Sequence, residues 1–263
     1  MATQEGNSVV FESMEGLIRK DGPSFQMTKE LLNSRSPIIV RRPVLLLAPL
    51  MQPSKIICLG RNFLSHIEET GSTIPPNPIL FSKFSSSIIG PEAPIILPKF
   101  TDKVDYEIEL CVVIGKKGRR IEPEEALSHV AGYTIANDIT ARDIQRGDGQ
   151  WTRGKSLDSF LPLGPFLVTT DEIDDPQNLT MRLWLNSDLM QDGSTTDMIF
   201  RIQDIISFIS EGITLLPGDL ILTGTPAGVG FAREPPVFLK AGDQLELEIE
   251  GLGRLSNSII QGL

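Results

Sequence analysis

Cysteine, histidine and aromatic residues are scarce in this sequence of 263 residues, which has two cysteines, two histidines and 6% Phe, Trp and Tyr together. Two cysteines cannot form a disulfide scaffold in a chain of this length, and no Cys/His spacing typical of a zinc site occurs. Cys58 and Cys111 both lie in apolar runs. We therefore expect two buried, reduced thiols in an intracellular protein.

Long apolar runs are also absent, since none approaches the ~18 residues that a membrane-spanning helix requires. We expect a soluble protein without a membrane segment. Basic residues are outnumbered, with 24 Lys and Arg against 34 Asp and Glu, which gives a net charge of −10. A surface of this sign repels the phosphate backbone and anionic lipids, so neither nucleic acid nor a membrane is an expected partner.

The N-terminal sequence lacks the early basic residues of targeting segments. The stretch MATQEGNSVVFESMEG contains Glu5, Glu12 and Glu15 before the first Lys or Arg of the chain. It resembles neither a secretory signal nor an Arg-rich transit peptide, so the expected location is the cytoplasm.

Short β-type runs separated by turn residues dominate the chain from residue 52 onward. Residues 1–51 have a mixed pattern and are predicted to form a small N-terminal segment, with a helix at 28–33 and a strand at 37–47. Further strands are predicted at 55–59, 79–83, 95–97, 106–114, 131–136, 164–168, 181–185, 220–222, 244–249 and 254–260, and helices at 123–127 and 201–209. Many strands with two short helices do not form alternating βαβ units. The predicted fold is mainly β (α+β), with packed or rolled sheets over residues 52–263.

Acidic residues alternate along one of these strands. Because residues two apart on a strand share a face, Asp105, Glu107 and Glu109 are predicted to form one acidic row. Like charges side by side destabilise a sheet, and a bound cation would remove the conflict. Asp138, at the end of the strand at 131–136, is the natural third ligand, and oxygen ligands favour Mg²⁺, Mn²⁺ or Ca²⁺ over zinc. The alternative is a solvated acidic face on an exposed strand.

A histidine and a glutamate follow the strand at 55–59. His66 and Glu69 are three residues apart, so on a helical turn their side chains can form a hydrogen bond. A carboxylate beside an imidazole fixes its tautomer and raises its basicity, which suits a general base. The alternative is an exposed histidine in a surface ion pair. His129 has no comparable neighbour and is predicted to be structural.

Polar and cationic residues follow the third carboxylate. Arg142 and Gln145 come directly after Asp138, and Lys155 comes after a Gly-containing stretch. Arg142 can clamp a carboxylate in bidentate fashion and Lys155 can neutralise an oxyanion, although isolated Arg and Lys residues are usually solvated. The run LTGTPAGVG at 222–230 lacks the ending of a phosphate loop, so we expect it to offer backbone amides and the Thr225 hydroxyl to a small ligand.

Six ordered motifs together resemble the fumarylacetoacetate hydrolase family over about residues 52–263. They are GRNF-x2-H-x2-E at 60–69, LFSKF at 80–84, DYEIELCVVIGKKG at 105–118, NDITARDIQ at 137–145, WTRGKS at 151–156 and TGTPAGVG at 223–230. The runs at 85–98 and 234–243 are most similar to the branch called fumarylacetoacetate hydrolase domain-containing protein 2. That branch is often mitochondrial, in contrast to the location expected from the N-terminal sequence.

The resemblance implies a β-roll or β-sandwich catalytic domain that forms a homodimer. It also implies Mg²⁺ or Mn²⁺ bound by Glu107, Glu109 and Asp138, a lid around residues 66–69, and Asp105 as neighbouring structure rather than a ligand. The implied catalytic residues are His66, Glu69 and Lys155, and the implied substrate-binding residues are Arg61, Arg142, Gln145 and Thr225.

The predicted substrate is a small 2-oxo acid, because such an acid can chelate a cation that then stabilises an enolate. Keto–enol tautomerisation of an oxaloacetate-type acid is the first choice. C–C hydrolysis of an acylpyruvate and decarboxylation of oxaloacetate are the near alternatives, and tailoring of a larger β-dicarbonyl metabolite is a further one. The rivals from other classes are a non-catalytic metal-binding scaffold and a phosphoryl-transfer metalloenzyme.

Overall fold

Two β-sheets enclose a shared hydrophobic core in the computed structural model, which describes residues 2–5, 8–11 and 45–262. The strands in these ranges are Ala2–Glu5 (β1), Ser8–Phe11 (β2), Ile56–Gly60 (β3), Ile79–Ser82 (β4), Ile88–Ile89 (β5), Ile95–Leu97 (β6), Val104–Asp105 (β7), Ile108–Ile114 (β8), Val130–Asn137 (β9), Thr140–Ala141 (β10), Leu161–Thr169 (β11), Thr180–Leu185 (β12), Asp188–Ser194 (β13), Leu220–Leu222 (β14), Gln244–Ile249 (β15) and Gly253–Gln261 (β16).

The larger sheet has the strand order β4-β3-β14-β8-β9-β11-β5, and the smaller one has the order β13-β12-β15-β16-β6. In the larger sheet β14 is parallel to β3 and antiparallel to β8, and β8 is antiparallel to β9. Two further pairs, β1 with β2 and β7 with β10, are antiparallel and separate from both sheets. The predicted mainly β fold is confirmed.

The burial pattern of each strand follows its place in the sheets. All seven residues of β8 are buried, as expected for a central strand covered on both faces. In the smaller sheet, β12 and β15 alternate between buried and more exposed positions, because one face packs on the core. This arrangement places the C-terminal end of β9 beside the start of β8 in the interior, where the candidate site lies.

Four α-helices, Leu64–Thr70 (α1), Arg142–Gly147 (α2), Thr152–Lys155 (α3) and Ile202–Gly212 (α4), are present in the described residues. Helix α4 buries Ile202, Ile205, Ile206 and Ile209, a spacing that puts one apolar face against the core. Short 3-10 helices occur at Ser85–Ser87, Pro123–His129, Thr170–Glu172, Thr195–Asp197 and Gly230–Ala232. No helix within residues 45–262 has both the length and the apolarity that crossing a membrane demands.

The predicted elements agree with the structure best where the pattern is apolar. The predicted helices correspond to Pro123–His129, which is a 3-10 helix, and to Ile202–Gly212. The predicted strand at 106–114 begins instead at Ile108. The strand Asp188–Ser194 was not predicted, because its sequence DLMQDGS is polar and it lies at the edge of its sheet. The helix predicted at 28–33 and most of the strand predicted at 37–47 lie outside the described residues, while residues 45–47 form no strand.

The division of the chain at residue 51 stays a prediction. Ala48 and Leu50, just before that boundary, are buried in a cluster with Ile88, Leu161 and Leu222 of the larger sheet. The residues immediately before position 51 therefore contribute to the same core as the strands that follow.

The three residues predicted to have only structural roles are all buried, as was expected for the two cysteines. Cys58 and Cys111 are free, fully buried thiols. His129 is also buried, with Nδ1 3.1 Å from the backbone oxygen of Lys116.

Candidate functional site

Three buried carboxylates converge where β8 begins and β9 ends. Glu107 precedes β8, Glu109 lies on it, and Asp138 directly follows β9, whose Asn137 pairs with Ile108. One carboxylate oxygen from each acid lies within 4.8 Å of the other two. The exposed fractions of Glu107, Glu109 and Asp138 are 5%, 1% and 0%, so the alternative of a solvated acidic face is wrong.

The predicted continuous acidic row is interrupted at residue 106. The amide of Glu107 donates to the Asn137 side chain, and Asp105 pairs with Thr140 of β10 outside the main sheet. The Asp105 carboxylate accepts hydrogen bonds from the amides of Gly230 and Phe231, at 2.8 and 3.1 Å. Asp105 is therefore neighbouring structure, as the resemblance implied. The prediction of one continuous acidic row is wrong, because hydrogen bonds to side chains replace the strand pairing here.

Two buried lysines bind the carboxylates. Lys155 Nζ lies 2.5 Å from Glu107 Oε2 and 2.6 Å from Asp138 Oδ2. Lys83 Nζ donates to Asp138 Oδ1 at 2.8 Å and to the backbone oxygens of Ile139 and Lys155. Lys83 was not predicted as a site residue, although the motif LFSKF that contains it was part of the resemblance.

The cations are distributed unevenly among the acids, and the pKa values follow. Burial by itself raises the pKa of Glu107, but Arg142 and Lys155 outweigh burial and hold this pKa far below its usual range. Burial, reinforced by the charges of Asp138 and Glu107, raises the pKa of Glu109 well above its usual value. Glu109 is thus the member of the trio whose charge is least compensated.

Arg142 is held by internal partners. Its Nε lies 2.8 Å from Asp105, its Nη2 lies 2.7 Å from Glu107, and its Nη1 donates to Gln145 at 3.2 Å. Burial opposes the charge of Arg142, yet Glu107 and Asp105 raise its pKa above the usual value. These contacts occupy the donors on which a bidentate clamp for substrate would depend, and the substrate-binding role of Arg142 stays a prediction.

The predicted His66–Glu69 pair is present on α1. His66 Nδ1 lies 3.3 Å from Glu69 Oε2, and Glu69 Oε1 accepts the amide hydrogen of Gly228 at 2.7 Å. The His66 side chain is 12% exposed and meets the Phe231 ring edge-to-face, with centroids 6.4 Å apart. The alternative of an exposed histidine is wrong, and the movement of this helix as a lid stays a prediction.

Two backbone amides of the loop at 223–230 do not have the ligand-binding role that was predicted for them. The Gly224 amide donates to Glu109 and the Gly228 amide to Glu69, at 2.8 and 2.7 Å, so these two amides serve the site's own carboxylates rather than a ligand. Gly228 has φ +103°, and a side chain there would meet the backbone oxygen of Met190. The Thr225 hydroxyl accepts a hydrogen bond from Gln191 at 2.8 Å and faces the pocket.

A cavity of about 240 Å³ lies above the carboxylates. This is below the ~300–1,000 Å³ typical of sites for drug-sized ligands, so it suits a small metabolite. Of the predicted site residues, Glu69 and Asp138 lie behind the wall, and the others line the cavity: Arg61, His66, Glu107, Glu109, Arg142, Gln145, Lys155 and Thr225. The described residues that line the cavity without having been predicted as site residues include the aromatic residues Phe81, Trp151 and Phe231 and the cation Arg146.

The donor set fits a hard divalent cation. Glu107, Glu109 and Asp138 offer oxygen atoms alone, as Mg²⁺ and Mn²⁺ prefer. Burial raises the pKa of Glu109, and repulsion by Asp138 and Glu107 raises it further; a bound cation would relieve this repulsion. Glu107 and Glu109 face the cavity, so an ion held there would be within reach of a small ligand.

The fold and the site together define a β-rich protein with a buried carboxylate cluster below a small pocket, which is lined by the histidine of a His–Glu pair. The sequence profile described as "Fumarylacetoacetate (FAA) hydrolase C-terminal" matches residues 55–260. The chain belongs to the fumarylacetoacetate hydrolase family, which confirms the resemblance.

Curated relatives cover nearly the whole chain. It is 45% identical over 250 residues to the rat protein named oxaloacetate tautomerase Fahd2a, mitochondrial, with 95% of this chain and 80% of the relative covered. The Xenopus laevis protein named oxaloacetate tautomerase fahd2, mitochondrial, is 48% identical over 239 residues, with 90% of this chain and 75% of the relative covered. The fumarylacetoacetate hydrolase from Exiguobacterium antarcticum has a similar structure, with TM-score 0.82, 39% identity, and 96% and 89% of the two chains covered.

Proposed function

We propose that this protein is a divalent-metal-dependent enzyme that catalyses keto–enol tautomerisation of an oxaloacetate-type 2-oxo acid. The observation that carries the proposal is the convergence of Glu107, Glu109 and Asp138 at one end of a pocket that His66 also lines. The names of the rat and Xenopus relatives support the choice of reaction.

The metal ligands are proposed to be Glu107, Glu109 and Asp138, with Mg²⁺ or Mn²⁺ as the ion and Ca²⁺ as a substitute in vitro. A bound dication would polarise the 2-oxo group of the substrate and stabilise negative charge on its oxygen.

The proton transfer is proposed to depend on His66. When Nδ1 donates its hydrogen to Glu69, Nε2 is left with a free lone pair. That nitrogen can accept the proton from the carbon beside the carbonyl group and deliver it to the enolate oxygen, which gives the enol, and the same transfers in reverse give the keto form. Glu69 fixes the ring, because its second oxygen is itself held by the Gly228 amide.

Lys155 is proposed to stabilise the enolate oxygen. Its ammonium group is buried at the pocket wall and its pKa lies above the usual value, because Asp138 and Glu107 overcome the opposing effect of burial. Lys155 therefore stays charged throughout the physiological pH range and supplies positive charge where the oxyanion develops.

The test of this proposal is enol-to-keto conversion of oxaloacetate, followed by ultraviolet absorbance with Mg²⁺ or Mn²⁺ and again with EDTA. We expect metal-dependent turnover that Glu107→Ala abolishes. We expect His66→Ala to retain metal affinity in calorimetry while losing proton transfer, because His66 is not among the three ligands. Unchanged Mg²⁺ binding by Glu107→Ala would contradict the assignment of the metal site.

A second candidate is C–C hydrolysis of an acylpyruvate. The His66–Glu69 pair favours it, because a histidine held by a carboxylate can activate water as readily as it accepts a proton from carbon. Structural similarity to a fumarylacetoacetate hydrolase also supports it. Turnover of acetylpyruvate to acetate and pyruvate, with oxaloacetate unchanged, would favour this reaction over tautomerisation.

Assembly and location complete the proposal. We propose a homodimer, as the family resemblance implies, and light scattering coupled to size-exclusion chromatography measures its mass.

The cytoplasmic location stays a prediction, while the curated relatives carry the word mitochondrial in their names. Fractionation of cells that express the protein distinguishes the two locations.

A further inference from the structure

The charge of the pocket wall is opposite in sign to that of the whole protein. Among the described residues, four Arg and Lys side chains line the cavity against two carboxylates, whereas the chain as a whole has a net charge of −10. The four cations are Arg61, Arg142, Arg146 and Lys155. A locally basic pocket in an acidic protein indicates a ligand with negative charge.

These cations fall into two groups by their partners. Arg142 and Lys155 are buried and form ion pairs with the acids at the base of the pocket. Arg61 and Arg146 are exposed at its rim, and neither has an acidic partner among the residues in the described part of the chain. The rim therefore holds cationic charge that no acid within residues 45–262 compensates.

Arg146 has a defined position although it is exposed. It follows Arg142 by four residues on α2, so the two side chains project from the same face about one turn, or roughly 5–6 Å, apart. Both guanidinium groups stack on the ring of Phe231, with their carbon atoms 4.3 Å (Arg142) and 4.7 Å (Arg146) from its centroid. Stacking of this kind orients a guanidinium plane while it leaves the N–H donors free.

The Phe231 ring is itself held in place. Its backbone amide donates to Asp105 at 3.1 Å, and Asp105 also binds Arg142. Arg146 thus lies about one helical turn from Arg142, which contacts Glu107. It stacks on Phe231, whose backbone is hydrogen-bonded to the same buried network.

We propose that Arg146 is a specificity-determining residue that binds the distal carboxylate of a dicarboxylic substrate. In this arrangement the 2-oxo acid end of the substrate lies at the carboxylate cluster and the distal carboxylate lies at Arg146, which lines the same cavity as Glu107 and Glu109. The identity of the reacting end rests on the proposed function, whereas the preference for a second carboxylate rests on the rim alone. Arg61, already a substrate-binding candidate, can contribute a second donor to the same group.

The binding test compares two ligands that differ in the distal carboxylate. Malate and lactate are both 2-hydroxy acids, and malate has the additional carboxylate. We expect Mg²⁺-loaded protein to bind malate more tightly than lactate in calorimetry. Arg146→Gln should lower this preference roughly tenfold, as expected for loss of one hydrogen-bonded charge pair.

A kinetic test uses oxaloacetate and phenylpyruvate. Both are 2-oxo acids that tautomerise, but only oxaloacetate has a distal carboxylate. Arg146→Gln should lower the ratio of the two kcat/KM values about tenfold, mainly through KM for oxaloacetate. Arg182→Gln is the matched control, because it removes the same charge from an exposed residue paired with Asp192, away from the pocket. This control should leave the malate-to-lactate preference and the ratio of the two kcat/KM values unchanged.

Both tests have outcomes that overturn the inference. If Arg146→Gln leaves the malate-to-lactate preference unchanged, or leaves the ratio of the kcat/KM values for oxaloacetate and phenylpyruvate unchanged, Arg146 does not recognise the distal carboxylate. If the wild-type protein fails to turn over oxaloacetate yet shows the preference that Arg146→Gln removes, the proposed function fails and the dicarboxylate site stands.

Discussion

Replacing Glu109 and Glu107 in turn by glutamine should change the stability of the metal-free protein in opposite directions. The two residues are both buried acids of the same cluster, and glutamine has nearly the shape of glutamate. Glu107 is compensated by Arg142 and Lys155, whereas the pKa of Glu109 is raised by burial and by its acidic neighbours. Glu107→Gln therefore removes a charge that stabilises the folded protein, and Glu109→Gln removes a charge that destabilises it.

The magnitudes follow from these contacts. Glu107→Gln breaks a buried ion-pair network, which costs about 3–5 kcal/mol, and each cation keeps a second acidic partner, so we expect the lower end of this range. A loss of ~3 kcal/mol lowers Tm by roughly 6–12 °C in a protein of this size. Glu109→Gln should raise the free energy of unfolding, because at neutral pH each unit of raised pKa costs about 1.4 kcal/mol that glutamine does not incur.

The pH dependence has a definite sign. A carboxyl whose pKa is raised in the folded protein destabilises it progressively as pH rises above the pKa of the unfolded chain, about 4.3. The advantage of Glu109→Gln over the wild type should therefore be small near that pH and grow toward neutrality. Bound metal should reverse the order, because binding at 100 times Kd stabilises the wild type by about 2.7 kcal/mol and the variant lacks one ligand.

Differential scanning calorimetry of the wild type and both variants, with EDTA and with saturating Mg²⁺, measures all three effects. Circular dichroism verifies that each variant is folded. Equal destabilisation by the two substitutions in EDTA would refute the assignment of compensated and uncompensated charge. A full Mg²⁺-induced rise in Tm for Glu109→Gln would show that Glu109 is not a ligand.

Three further predictions test the surroundings of the site. Lys83→Met should lower stability by about 3–5 kcal/mol in thermal unfolding, because it leaves a buried carboxylate without one of its cations. Burial raises the pKa of Tyr133 to about 12, so the wild type should lose up to about 2.7 kcal/mol between pH ~10 and ~12 in urea titrations, and Tyr133→Phe should lose less. Gly228→Ala should cost roughly 1–3 kcal/mol or more, because its φ is +103° and the added carbon would clash with Met190, whereas Gly212→Ala meets nothing within 4 Å.

The carboxylate cluster proposed to bind the metal could be predicted from the sequence because two local rules applied to its members. Glu107 and Glu109 are two residues apart beside a strongly apolar strand, and Asp138 ends a second apolar strand. The family resemblance then supplied the connection between the two strands. His66 and Glu69 were found in the same way, because their contact spans a single helical turn.

The rest of the site could not be predicted because it depends on contacts between distant segments. Lys83 lies 55 residues before Asp138, the acid that it binds, and no periodic pattern marks it. Phe231 follows a glycine-rich loop and is recognisable as a site residue only once Arg142 and Arg146 are seen on its ring. The amides of the 223–230 loop were assigned to a ligand because the sequence does not show that Glu109 and Glu69 already accept from them.

The charge inventory of the buried cluster explains how an acidic protein can take an anionic substrate. Four acids, Asp105, Glu107, Glu109 and Asp138, are buried at the base of the pocket with three cations, Lys83, Arg142 and Lys155, in the described part of the chain. With every group ionised, one negative charge is left over, and a dication would turn this excess into one positive charge. Without Lys83 and Lys155 the ion would be bound by uncompensated acids and the pocket would stay negative. The lysines would thus allow the same carboxylates to hold the proposed cation and the filled site to attract a carboxylic acid.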